Sequence, residues 1–311
     1  MAAHCLTEYW ESLCKTRLLR SSRSPRTGML SCPIDLASMP PTSIPPIAPS
    51  DFESVRFVER HRQAGGWIDS DYATDPVQWF ERLRQNGIYA LRLIHVPGSG
   101  VGQNSDRSLV GFIGGGGRWL IDAVTPAGSE IWEARWEVGD RDRADDRVWR
   151  VTYGRLATGQ PTSDEGMFVA ELKWKLQLNL TEIAEFASTR GLEPFDKAFE
   201  SGLSHLTSQA PLSDVYHQDI APIGALSLAA AQLLGTAQAA WVFGGMGSWN
   251  DLGFEGDDQA QYDRLSDELY ALLVQAVVTG TNLSVPPRMP PPPKPSQPKT
   301  SRTKAWWQFW E

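Results

Sequence analysis

Two neighbouring segments restrict the fold of this chain more than any others. In EIWEARWEV, Trp132, Ala134, Trp136 and Val138 alternate with Glu133, Arg135 and Glu137, and in RVWRVTYG, Trp149, Val151 and Tyr153 alternate with Arg150 and Thr152. Successive side chains of a strand point to opposite faces, so each segment has one aromatic face and one charged face. Strands of that kind belong in an antiparallel sheet that is covered by helices on one side. RWLIDAV supplies an earlier strand, and GDRDRADD reads as a charged hairpin loop. Residues 109–157 are therefore expected to form a β-meander, preceded by a strand in IYALRLIHV that Pro97-Gly98 closes.

Helical periodicity surrounds this core. SDFESVRFVERHRQAGG carries Phe52, Val55, Val58 and Glu59 at helical spacing, with Ser50 or Asp51 as N-cap. PVQWFERLRQNG opens with Asp75-Pro76 and closes on Gly87, the order expected at the two ends of a helix. FVAELKWKLQLNLTEIAEF satisfies both periods from Phe168 to Leu180. Only the helical stripe Phe168, Leu172, Leu176, Leu180, Ile183 and Ala187 continues to its end. Its Leu, Ala, Glu, Lys and Gln content also favours helix. EPFDKAFESGLSHL and an alanine-rich run follow. The final helix places Tyr262, Leu265, Leu269, Leu272, Leu273 and Ala276 on one face, with Asp257 and Asp258 at its positive end and Gly280 just past its last periodic residue.

The fold class is α+β: an antiparallel β-meander packed against helices, with a helical C-terminal half. One domain is expected over residues 51–284, in a helix-plus-meander part (51–165) and a helical part (166–284). Residues 1–50, rich in Pro, Ser and Arg, and 285–311, proline-rich and basic, are too polar for a core and read as disordered. Met29 is an alternative start to Met1.

Charge and composition exclude several function classes. Residues 51–284 hold 19 basic and 33 acidic side chains, a net −14, which repels phosphate backbones and argues against nucleic acid. Arginine outnumbers lysine there, as a GC-rich coding sequence would also produce. Cys5, Cys14 and Cys32 all precede residue 51, so the body has no thiol nucleophile, cysteine metal ligand or disulfide. No apolar leader marks the chain for export, and a cytoplasmic location is expected. ALSLAAAQLLGTAQAAWVFG lacks charge, but its alanines and its Ser227, Gln232, Thr236 and Gln238 suit a buried helix better than a transmembrane one.

Familiar catalytic patterns are missing. No lysine follows a glycine loop as in a P-loop, and Gly-Gly-Met-Gly-Ser-Trp and GFIGGGGRW lack the strand–helix context of a dinucleotide fingerprint. Ser248 has Met246 two positions before it, so there is no GxSxG elbow. His217-Gln-Asp219 has the spacing of the first two ligands of an iron facial triad, but no histidine follows it, and a capped loop histidine is the expected reading. Asp251, Glu255, Asp257 and Asp258 do not match a calcium loop. The expectation is no metal and no cofactor.

Two candidate sites remain. The glycine-rich loop 244–258 holds Trp249, Asn250 and Asp251, which with His217 would line a ligand pocket if Trp249 were an exposed platform. An enzyme or carbohydrate-binding module would use that pocket. At the C-terminus, Trp306, Trp307, Phe309 and Trp310 end a proline-rich basic spacer. They suit a docking peptide that inserts aromatics into a protein partner, and alternatively a peripheral membrane contact, or a tail that folds back on its own body. The first reading makes this a non-catalytic interaction protein.

Overall fold

A computed structural model describes residues 52–63, 66–98, 105–112, 115–144, 147–159, 168–213, 226–244 and 246–283. Both terminal segments, His217 and the four tail aromatics lie outside the described residues.

The α+β class is as the sequence implies. Strands β1 (Phe52–Gln63), β2 (Gly66–Ala73), β3 (Ala90–Val96), β4 (Arg118–Thr125), β5 (Gly128–Val138) and β6 (Trp149–Thr158) form one mixed sheet in the order β2-β1-β6-β5-β4-β3. The run β3–β4–β5–β6 is the antiparallel meander, and β1 adds to it in parallel beside β6. Helix α1 (Pro76–Gln85) starts as expected, with the Asp75 carboxylate accepting from the Gln78 amide at 3.0 Å. It buries Trp79, Phe80 and Leu83 against one sheet face, where Phe57, Trp132, Val151 and Tyr153 meet them.

Residues 52–63 are the clearest departure: they form strand β1, not a helix. The helical reading put Phe52, Val55 and Val58 together and left Phe57 out. In the strand, Phe57 is fully buried and stacks between Trp79 (ring centroids 4.5 Å apart) and Tyr153 (5.2 Å). Stacking of that kind adds to the area buried and overrides a short local period. A register shift between Phe57 and Val58 in the pairing with β2 lets both of these neighbours be buried.

The charged face of the sheet is cross-linked. Arg118 bonds Glu133 through two nitrogens at 2.6 and 2.8 Å, Arg150 bonds Glu53 through two at 2.9 Å, and Asp69 sits between Arg60 and Arg135. Gly154 lies beneath this layer, where a Cβ would stand 2.7 Å from Arg60 Cδ and displace that side chain.

The C-terminal half is a ring of four helices. Helix α3 (Val169–Thr189) packs on α4 (Glu193–His205), α4 on α5 (Leu228–Ala239), α5 on α6 (Gly256–Asn282), and α6 back on α3. The ambiguous segment is thus helical, and the alanine-rich run is a buried helix. No helix among the described residues is long and apolar enough to cross a membrane. Helix α6 does not stop before Gly280 but runs through it to Asn282. Gly280 serves packing rather than termination, since a Cβ there would meet Leu234 Cγ at 2.8 Å. Phe168 departs from its expected stripe as well, preceding the first turn of α3 and 82% exposed.

The two halves meet along α6. Asn282 reaches the edge strand β3 and bonds Leu93 twice, accepting from its amide at 2.8 Å and donating to its carbonyl at 2.9 Å. The carboxamide thereby stands in for a neighbouring strand at that point.

Candidate functional site

Of the three candidates in the glycine-rich loop, Trp249 is buried, Asn250 is half-buried and Asp251 is exposed. Gly247 takes a left-handed φ of 82°, and the Asp251 carboxylate accepts from its amide. The Ser248 hydroxyl donates to the Gly244 carbonyl at 3.2 Å, so the loop is closed by its own side chains. A short 3-10 turn, Trp249–Asp251, then brings the indole into the bundle.

Trp249 is fully buried, so it is not an exposed platform for a ligand. Its Nε1 donates to the Ser266 hydroxyl at 2.7 Å, and the rings of Phe195, Phe199 and Tyr262 lie within 5.1–5.3 Å of its centroid. The Tyr262 hydroxyl donates to the Trp249 carbonyl. Glycine density around an indole signalled a surface, but the glycines let the loop turn so that its tryptophan faces the core.

Asn250 is also bonded internally, and its partner was not foreseen. Its amide donates to the Arg107 carbonyl at 2.8 Å, and its oxygen accepts from the Arg107 guanidinium at 3.3 Å. Arg107 belongs to the four-residue helix α2 (Asp106–Leu109), in the long connection between β3 and β4. Its Nε donates to Asp267 at 2.7 Å, one terminal nitrogen to Asp263 at 3.2 Å, and the guanidinium stands 5.4 Å from the Tyr262 ring centroid. Burial opposes the charge of Arg107, but the Asp267 carboxylate and the Tyr262 hydroxyl outweigh it and hold the side chain more firmly protonated. Burial, against the pull of the same arginine, pushes the Tyr262 hydroxyl up.

The geometry is that of a clasp. An arginine from the sheet half enters a slot made by two carboxylates one helical turn apart, an amide and a phenol. Farther along the same connection, the Tyr270 hydroxyl donates to the Gly116 carbonyl at 2.8 Å. Arg107, Asp263 and Asp267 escaped the sequence reading because 156–160 residues separate the arginine from its acids. Only the i,i+4 spacing of the two aspartates gave a sign of them.

The acidic cluster before α6 is dispersed in the same way, with Asp251 bonded within the loop and Asp258 paired with Arg190. No group of three or more His, Cys, Asp or Glu among the described residues could hold a metal ion. Of the described histidines, His61 meets Ser70 and Glu59, His95 meets the Gly116 carbonyl, and His205 is buried in the bundle.

The surface offers a different feature. On α3, Trp174 is 59% exposed and Leu178 is 52% exposed, four residues apart on the side away from the bundle core. The alternation in 168–180 that resembled a strand was their trace. A helix buries Leu172, Leu176 and Leu180 and leaves Trp174 and Leu178 more than half exposed.

Comparison with protein-family models, with curated proteins and with solved structures finds no match.

Proposed function

We propose that this is a non-catalytic cytoplasmic interaction protein that offers Trp306, Trp307, Phe309 and Trp310 to a protein partner on a proline-rich leash. The anchoring of α6 carries the reading. The leash follows a 27-residue helix whose last residue, Asn282, is bonded to the sheet, while Arg107 grips the first half of the same helix. A rigid mount followed by a stiff proline-rich spacer with aromatics at its tip is the arrangement of a tethered ligand. The loop 244–258 gives less support to a ligand pocket, because Trp249, Asn250 and Asp251 are all engaged internally.

The test compares the full chain with a chain ending at Thr303 and with Trp306→Ala/Trp310→Ala. Partners recovered by the full chain from lysate of its own source, and lost by both variants, support the reading. Identical recovery from all three removes it, as does binding only to anionic lipid vesicles, which would make the tail a membrane contact.

A further inference from the structure

We propose that the tail also has a seat on its own body: the aromatic end, residues 306–310, docks in cis on the Trp174–Leu178 face of α3. The inference concerns where the tail rests, and it holds whether or not a partner exists.

Three observations carry it. The first is the apolar pair itself. Trp174 and Leu178 lie at the centre of the solvent side of α3, opposite Leu172, Leu176, Leu180 and Ile183, and neither contributes to a core. An aromatic and a leucine one turn apart are the anchors by which a helix face holds an apolar partner.

The second is charge. Residues 168–283 contain 15 acidic and five basic side chains, a net −10, whereas residues 51–167 contain 18 and 14, a net −4. The negative charge of the body is thus concentrated in the helical half. The tail, 285–311, carries five basic side chains and one acidic one, with Arg302 and Lys304 directly before the aromatics. On α3 itself, Glu171 is paired with Lys175 at 2.8 Å, and Glu185, two turns beyond Leu178, is exposed, so the attraction comes from the charge of the helical half as a whole. Opposite charges attract the tail to this half of the molecule rather than to the sheet.

The third is reach. Helix α3 packs directly against α6, from whose end the tail departs. The 22 residues 284–305 span roughly 70 Å at ~3.1 Å each when extended, well beyond the ~32 Å length of a 21-residue helix. A tether of this kind holds its end at an effective concentration on the order of millimolar, so even a weak contact is substantially occupied.

Limited trypsin digestion of the full chain tests this, by the ratio of cleavage after Lys304 to cleavage after Arg288. Docking shields the first bond, which adjoins the aromatics, more than the second, near the root of the tail. Trp174→Ala/Leu178→Ala changes only exposed side chains, and its thermal midpoint serves as the check on folding. The expected result is a ratio about five- to tenfold higher in this variant, the change when a mostly docked state becomes a minor one. It should be the same at ~1 and ~100 µM protein, since a cis contact does not dilute. A Leu178→Met variant, which keeps an apolar side chain of similar size, should retain most of the shielding. An unchanged ratio overturns the proposal, and a concentration-dependent ratio overturns it in favour of a contact between two copies. A ratio that responds while no partner is ever recovered retains the seat and removes the partner. Recovered partners with an unresponsive ratio do the opposite.

Discussion

The sheet half and the helical half use the same residue types in opposite ways. Beneath α1 the core is ring upon ring, with Phe57 between Trp79 and Tyr153 and Trp132 set edge-on to Phe57, Tyr72 and Trp79. In the bundle one indole, Trp249, has its N–H bonded to Ser266, whereas the buried Trp132 N–H has no hydrogen-bond acceptor among the described residues. The charges differ too. Arginines of the sheet lie across strands from their acids, while the helical half has three acidic residues for each basic one. The sheet pairs its arginines with its own acids, and the bundle keeps an acidic surplus. A cationic tail is therefore drawn more strongly to the bundle than to the sheet.

The largest expected effects come from the tryptophans. Trp249→Ala and Trp132→Ala should each destabilise the fold by about 3–5 kcal/mol, measured by urea unfolding. The conservative change separates the two cores. Trp249→Phe leaves the buried Ser266 hydroxyl without the indole donor and should cost about 1–2 kcal/mol more than Trp132→Phe, which leaves no such orphan. Equal costs would break the distinction between a polar-anchored and a stacked core.

The clasp comes next. Arg107→Ala should cost about 2–3 kcal/mol: the arginine is buried, but its two carboxylates are about half-exposed and recover water. Arg107→Lys should recover only part of this, because an ammonium cannot place separate N–H groups on Asp263, Asp267 and Asn250 at once. If either variant unfolds in two steps, sheet first and bundle second, the halves are coupled mainly through this side chain.

These features also show what the sequence did and did not disclose. The meander was legible because alternation in EIWEARWEV and RVWRVTYG has one structural meaning, and α1 because Asp75, Pro76 and Gly87 mark both its ends. Strand β1 was not, since Val55 and Val58 fit a helical stripe, and the parallel partner that decides the matter, β6, lies more than 90 residues away. The loop was recognised as a special backbone, but its inward turn depends on Ser266 and Tyr262 in the following helix. In α3 the surplus apolar residues were visible as alternation; only once the segment is helical do Trp174 and Leu178 become surface.

Asn282 sharpens the comparison at the seam. Asn282→Ala leaves the amide and carbonyl of Leu93 unpaired at the edge of the sheet and should cost about 1–3 kcal/mol. Hydrogen exchange at the Leu93 amide should accelerate well before that of the β5–β6 ladder. Asn282→Asp keeps an acceptor for the amide but loses the donor to the carbonyl, so it should fall between wild type and alanine.

The smallest effect tests the charge pairing of the sheet. Burial alone would raise the pKa of Asp69, but the hydrogen bond from Arg135 and the charges of Arg135 and Arg60 outweigh it and hold the carboxyl below its ordinary 3.8. A carboxylate depressed in the folded state contributes its stability fully above the ordinary value and loses it as pH falls through the lower one. Asp69→Asn should therefore cost roughly 0.2–1 kcal/mol at pH 6, as for a partly exposed ion pair. At pH 3 and below that penalty should shrink, because the wild-type carboxylate is then being protonated. Asp258→Asn provides the contrast, since Asp258 meets Arg190 on the half-exposed surface of the bundle. Its cost should be smaller at pH 6, because neutralising one acid also relieves repulsion among its neighbours. A larger penalty at Asp258 than at Asp69 would mean that the acidic surface of the bundle is balanced after all, leaving no electrostatic reason for a cationic tail to prefer it.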